Sequence, residues 1–389
     1  MRRHDLDWLR VLLFGLLVLH HVAVGFSEFG QEVYGLVNDR IAGPGLTLAI
    51  YWSHGWRLPA LFLIAGIGTW FATARGAGAG FMAERLARLL VPAVFGAFLL
   101  NAVAGAAIGW AVAGADGVRE VLGRWWTAPE LRQVMHLWFL VNLAVYTLLL
   151  WPLFGMRDRL VAWEVGPRPL LAALALCVTA VAVVGKPWGA AIAGDGYQGP
   201  WYLGLFLGGY LIGARHAAVL DWAARRVRWL LAAGVALYLS EITLLGLALE
   251  RNPAVAAALA SGGWAAEGLL PAYGAEGVAF AMVEGLGAWA WALAALGLAA
   301  RYLRRAGRWL PELTRGVFPV YVLHFPVMFL GLAALTRLDW PWGWEFLILA
   351  AWTYGATAAL ALAAARTGRA VYLIGGRGGP RPGAPASSS

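Results

Sequence analysis

Charge is scarce in this sequence. Only 13% of its 389 residues are Asp, Glu, Lys or Arg, whereas a soluble domain carries roughly 25%. That scarcity excludes an ordinary soluble globular protein. There is one cysteine, Cys177, so no internal disulfide forms. It lies in an apolar run and reads as a small core residue. The seven histidines are scattered, with no H-E-x-x-H and no cysteine pair, so no metal site is expected. No Gly-rich phosphate loop is seen. No A-x-A-like site follows the first apolar run, which excludes a cleaved signal peptide. No polar stretch between apolar runs is long enough for a soluble domain.

What is abundant is apolar surface. Hydrophobic residues make up 61% of the chain, and there are 22 tryptophans, which suit interfacial belts and aromatic-lined cavities. Apolar runs of about 17–25 residues read as membrane spans. Ten occur, near 8–26, 54–74, 88–113, 133–155, 169–186, 198–214, 228–249, 273–300, 316–336 and 343–365. The sixth is short, and 46–53 belongs either to the second or to a re-entrant piece. The expectation is an all-α polytopic integral membrane protein of about ten transmembrane helices. Residues 1–374 form the transmembrane domain, and 375–389, rich in Gly, Pro and Ser, form a disordered cytoplasmic tail.

Charge placement orients the chain. With the N-terminus in the cytoplasm, 22 of the 30 basic residues fall inside. They include Arg2, Arg3 and Arg10, then Arg75, Arg85 and Arg88, and later Arg301, Arg304, Arg305, Arg308 and Arg315. The other eight include Arg40, Arg57, Arg119, Lys186 and Arg337. The positive-inside rule therefore puts both termini in the cytoplasm and makes the number of spans even. The net charge of +9 is mostly topological and signals no nucleic-acid partner.

The first span, LRVLLFGLLVLHHVAVGF, carries Arg10, His20 and His21. At 100° per residue, the eleven steps from Arg10 to His21 make three turns plus about 20°, so the two share one face about 16 Å apart. His20 is rotated by about 80° from that line. This stripe links a cationic cytoplasmic mouth to a titratable base expected near mid-membrane. Arg10 alone also reads as a snorkelling anchor, and a buried histidine as a hydrogen-bonded packing residue. Intramembrane ionisable residues, however, usually mark function.

Five stretches in order resemble the acyltransferase 3 family of membrane O-acyltransferases. DLDWLRVLLFGLLVLHH shows the family's Arg-x10-His pattern, and WRLPALFLIAGIGTWF (56–71) resembles its second-span block. RLARLLVP (85–92) resembles its Arg-x-x-Arg, HLWFLVNL (136–143) its Trp-Phe-Leu span, and VFPVYVLHFP (317–326) its late Tyr-x-x-His-x-Pro span. The first, second and fourth look closest to the glucan biosynthesis protein C group, which is implicated in succinylating periplasmic glucans. The resemblance implies a multi-pass protein of the cell inner (cytoplasmic) membrane. It also implies transfer of an acetyl or succinyl group from cytoplasmic acyl-CoA to a hydroxyl of an extracytoplasmic glycan, in contact with the lipid bilayer and without a metal. No appended hydrolase-like domain of the kind some members carry is expected.

Such a transfer needs a base for the hydroxyl, donors for the developing oxyanion, and cations for the CoA phosphates. His21 has a suitable titration range and is the candidate base or acyl carrier. Arg85 and Arg88, three apart at the cytoplasmic mouth, are candidates for the CoA phosphates, with Arg10 on the donor side or nearer the thioester. Both also read as ordinary positive-inside charges. His324, one turn after Tyr321, either orients His21 or the acceptor, or the two make an interhelical bond. His136 and Trp138 open the fourth span on the outer side, where Trp138 stacks on a sugar or joins an interfacial belt. Arg57, expected on the outer side before Leu58-Pro59, is placed to meet an anionic acyl group or an acidic glycan. Glu241 and Glu284 fall inside spans with no nameable partner. The rival reading is a transporter with a His21/Glu241/Glu284 proton relay, but no internal repeat of the transporter kind is visible.

Overall fold

The structure is a computed structural model. It describes residues 3–28, 30–36, 38, 42–128, 131, 134–189, 198–251, 253, 275–367 and 370–376. Arg2, Arg40, Arg369 and the tail from 377 on lie outside the described residues, as does the side chain of Lys186. Among the described residues there are helices and no strands. Eight helical segments are long and apolar enough to cross a membrane. The chain is a multi-pass, all-α membrane protein. All ten apolar runs fall on helix, but the fourth and sixth are short: α6 (Trp138–Leu149) and α10 (Gln198–Ala214).

Helix boundaries differ from the edges of the apolar runs, and this moves the functional residues. Helix α1 spans His4–Val24, with Asp5 and Asp7 in its first turn, where the helix dipole favours acidic side chains. His21 therefore sits in its last turn. The short α2 (Gly30–Tyr34) follows. Helix α3 (Pro44–Ala72) starts with proline in its first turn, where the missing N–H costs nothing. The 46–53 segment thus belongs to the second span. Arg57 lies 13 residues past Pro44, about 20 Å along the axis.

Helix α3 is the centre of the bundle. It packs on α1, on α10, and on α12 (Ala275–Tyr302). Against α10 the backbones touch: a Cβ on Gly209 would lie 1.9 Å from Leu63 O. Small residues at such crossings let membrane helices pack by direct van der Waals contact.

The third span runs from α4 (Ala79–Phe95) through a π turn at Gly96–Leu100 into α5 (Asn101–Arg124). It breaks at Ala113 and at Gly114, whose φ of 62° and ψ of −138° suit glycine. The chain folds back there, and Trp125 Nε1 reaches Phe98 O (2.9 Å). Leu137 packs against Gly96, so α6 begins beside the middle of the third span. This is why the fourth run yields only a half-length helix, and why His136 and Trp138 lie within the bundle and not at its outer edge. Irregular backbone at membrane depth is tolerated only inside protein or along a cavity.

Helices α7 (Trp151–Phe154) and α8 (Arg157–Ala162) lead to α9 (Pro167–Gly189), and α10 to α11 (His216–Arg251). Helix α9 buries one face only, and Cys177 is exposed on the other. It is therefore not the core residue that its apolar setting suggests. Helices α13 (Leu310–Leu335), α14 (Trp342–Arg366) and α15 (Ala370–Leu373) complete the chain. Contacts tie the basic segments together at one end: Trp8 Nε1 to Arg305 O, Trp151 Nε1 to Ala77 O, and Arg215 Nη2 to Val161 O. At the other end Tyr238 bonds Leu48 O and Arg337 bonds Trp110 O. This grouping matches the alternation inferred from charge.

Candidate active site

Five of the seven histidines, His20, His21, His54, His136 and His324, gather at the far end of α1. Their separation in the sequence hid this. Rings follow one another: His54 lies 5.9 Å from His20, His20 5.8 Å from His21, and His136 4.9 Å from His324, between centroids. Among the described residues no three His, Cys, Asp or Glu side chains are placed to hold a metal ion.

The hydrogen bonds assign each tautomer. His324 is fully buried and its Nδ1 lies 2.5 Å from Tyr321 O. A carbonyl only accepts, so Nδ1 carries the proton and Nε2 the lone pair. That lone pair accepts from His21 Nδ1–H at 2.7 Å. His21 is left with a lone pair on Nε2. It is half-buried, so it is the accessible member of the pair. The two rings are nearly coplanar, 2° apart. His324 thus orients His21, as a second group orients a catalytic base elsewhere.

His20 takes a different neighbour. Its Nδ1–H donates to Ser53 Oγ (2.8 Å), whose hydroxyl donates to Ile50 O (3.0 Å). One helical step separates the two histidines, so they face α3 and α13 respectively. His136 sits on the 3-10 turn Met135–Leu137 that opens α6. Its Nε2 bonds Val322 O at 3.3 Å. Pro326, four residues on in α13, has no N–H to give that carbonyl, so the proline frees the acceptor that His136 uses. Tyr321 donates to His136 O and so serves the same junction, while Trp138 packs on Phe62 and Tyr202. Met135 next door has a φ of 42°, a left-handed conformation that side chains rarely adopt. Such strain often marks function.

The loop between α1 and α3 covers this end. Tyr34 donates to His21 O (3.0 Å) and packs on Phe325 and Phe329. Burial pushes its phenol well above the ordinary value. Asn38 donates to Glu345 Oε2 (2.6 Å), and Trp340 N to Glu345 Oε1 (3.1 Å). Glu345, wholly buried, clamps the loop. Sequence reasoning missed it, as it missed His54 and Ser53. The spacing of Ser53, His54 and Arg57 along one face of a helix was the available signal for those two.

Arg57 stands inside this cluster, only 1% exposed. Its charge acts on His20, His21, His54 and His324. The outer-side residue expected from the apolar run is thus buried within the bundle, because α3 begins ten residues earlier than the run. Its Nε and Nη1 have no hydrogen-bond partner. An arginine at the centre of a span costs on the order of 2.5–3.5 kcal/mol on insertion scales, and among the described residues no hydrogen-bond acceptor meets its Nε or Nη1.

The other three candidate arginines, Arg10, Arg85 and Arg88, meet at the opposite end of α1. Arg85 donates from Nε to Thr147 Oγ1 (2.9 Å) and from Nη2 to Thr69 Oγ1 (2.7 Å). A Cβ on Gly68 would lie 3.1 Å from Arg10 Nη2, so the glycine makes room for that guanidinium. Arg88 is exposed over the Phe318 ring, 5.6 Å from its centroid. The charges of Arg10 and Arg88 both act on Arg85.

Glu241 and Glu284 lie elsewhere. Both line a crevice of about 10 Å³ with Tyr51, Trp52, Trp56 and Trp291, and Tyr51 donates to Glu241 Oε1 (3.1 Å). This crevice is on the side of α3 facing away from the histidines.

The first helix thus carries a cationic end and an oriented imidazole end, joined by one stripe. A family profile described as an acyltransferase domain, that of the acyltransferase 3 family, matches residues 3–364. No curated protein and no solved structure matches the chain. The chain belongs to the acyltransferase 3 family, and is a membrane O-acyltransferase.

Proposed function

We propose that the protein moves an acetyl or succinyl group from cytoplasmic acyl-CoA to a hydroxyl of an extracytoplasmic glycan, in the cell inner membrane, with His21 as the base. The observation that carries this reading is the His21–His324 pair, which leaves a lone pair on the accessible nitrogen of His21. Arg85, Arg88 and Arg10 hold the CoA phosphates at the other end. The gap of about 16 Å from Arg10 to His21 suits an extended pantetheine arm. The acceptor approaches from the histidine end, which positive-inside orientation turns away from the cytoplasm. The likeness of the first, second and fourth motifs to the glucan biosynthesis protein C group supports a glucan as acceptor.

In the reaction, His21 Nε2 takes the proton of the acceptor hydroxyl as its oxygen attacks the thioester carbonyl carbon. The C–S bond then breaks, and the proton passes from His21 to the CoA thiolate. No oxidant or metal is consumed. The test is reconstitution in liposomes with labelled acetyl-CoA or succinyl-CoA and a glucan acceptor. Labelled glucan that depends on His21 is expected. A folded protein that binds no CoA and acylates nothing from either donor would overturn the reading.

A further inference from the structure

We infer that Arg57 is the group that holds the developing oxyanion of acyl transfer, an inference that rests on the acyl-CoA reading above. Three observations point to it. The guanidinium is buried within the histidine cluster and acts electrostatically on His21 and His324. Its Nε–H and Nη1–H have no acceptor. Its depth is fixed by two contacts between the antiparallel helices α1 and α3: His20 meets Ser53, and Arg10 meets Gly68. Arg57 is four residues from Ser53 toward Gly68, about 6 Å along the axis. Its backbone therefore lies about one helical turn toward the arginine end, with the guanidinium reaching back among the histidines.

A fixed, buried cation with free N–H groups is preorganised for charge that appears only during reaction. When the acceptor oxygen adds to the carbonyl carbon, the C=O electron pair moves to oxygen. Arg57 donates to that oxygen, and the charge disperses when the C–S bond breaks and the thiolate leaves with the proton from His21. The unsatisfied guanidinium of the resting protein is then the reserved half of a hydrogen bond that the transition state completes.

Arg57→Met separates this role from others. Methionine fills similar space without charge, and loss of a buried uncompensated charge should leave thermal stability equal or higher. The expected result is a fall in kcat of about 10²–10³-fold, equal for acetyl and succinyl donors, with CoA affinity unchanged. Arg57→Lys, which keeps the charge, should recover part of the rate. A folded Arg57→Met with kcat within threefold of wild type would overturn the inference while leaving the acyl-CoA reading intact. A loss confined to succinyl transfer would also overturn it, in favour of a pocket for the acyl carboxylate. If Arg57→Met does not fold, a folded Arg57→Lys with wild-type kcat for both donors supports a charge role, and one with no activity at all counts against it. Wild-type protein inactive with both donors would defeat the underlying reading and this inference together.

Discussion

Arg57 and Arg85 are both arginines drawn into the bundle from α3 and α4, yet their surroundings are opposite. Arg85 has its Nε and Nη2 satisfied by Thr147 and Thr69, at the end where Arg10 and Arg88 also collect. Arg57 has Nε and Nη1 unsatisfied among histidines. A guanidinium fixed by neutral hydroxyls keeps a constant position, which suits holding an anion that is present throughout a binding event. One that lacks partners is least stable when the site is at rest, which suits an interaction made only in the transition state. The contrast divides the molecule into an end that binds and an end that reacts.

The sharpest way to break this division is at the opening histidine pair. His21→Ala should lower turnover by about 10²-fold or more through loss of base catalysis, with CoA affinity unchanged by calorimetry. His20→Ala should do much less, because its ring is committed to Ser53. Transfer of labelled acyl group per folded molecule checks both. Near wild-type turnover in His21→Ala, or an inactive His20→Ala beside an active His21→Ala, would assign the base wrongly.

His324→Phe removes the acceptor that orients His21 and should cost turnover by roughly 10–100-fold, the range for loss of an orienting partner. His324→Gln, whose amide oxygen accepts the His21 Nδ1–H, should rescue part of it. An equal loss in both would point to packing. At the binding end the pattern should reverse. Arg85→Ala with Arg88→Ala should weaken acyl-CoA binding by roughly tenfold or more and leave the fold intact. Unchanged affinity would make these arginines topology signals only. Thr69→Val and Thr147→Val, which free Arg85 without removing it, should give a smaller version of the same loss.

The smallest effect concerns stability. Glu345→Ala removes the buried bond to Asn38 in the loop over the histidines and a part-buried bond to Trp340 N, and should destabilise by roughly 2 kcal/mol. The check is a lower melting temperature together with faster amide exchange around Tyr34 and Asn38. Unaltered exchange there would mean that the Tyr34 contacts alone hold the loop.

Much of this was legible in the sequence. Ten apolar runs, the arginines between them and the Arg10–His21 spacing depend on hydropathy, charge and helix period, all of which are local. Local properties also place His20 and His21 on different faces, since neighbours in a helix are 100° apart. They do not say where a helix begins. Hydropathy marks the apolar part of a span, but α1 starts at His4 and α3 at Pro44, with first-turn acidic residues in one and a first-turn proline in the other that lie outside that window. The resulting shifts put His21 in the last turn of α1 and Arg57 in the interior. Hydropathy is equally silent on which face of α9 meets lipid, which is why Cys177 was misplaced.

The membership in a family of membrane acyltransferases and the all-α class were determined by the sequence alone, because each is a sum over many residues. The site was decided by the tertiary structure. Its members come from α1, α3, α6 and α13, separated by up to 304 positions, and only packing brings His21 to His324. The loss of an N–H at Pro326 is visible in the sequence, but that His136 uses the freed carbonyl depends on the broken third span that turns α6 inward. Whether a buried arginine is satisfied likewise depends on what other helices bring to it, and no count along one chain segment separates Arg85 from Arg57.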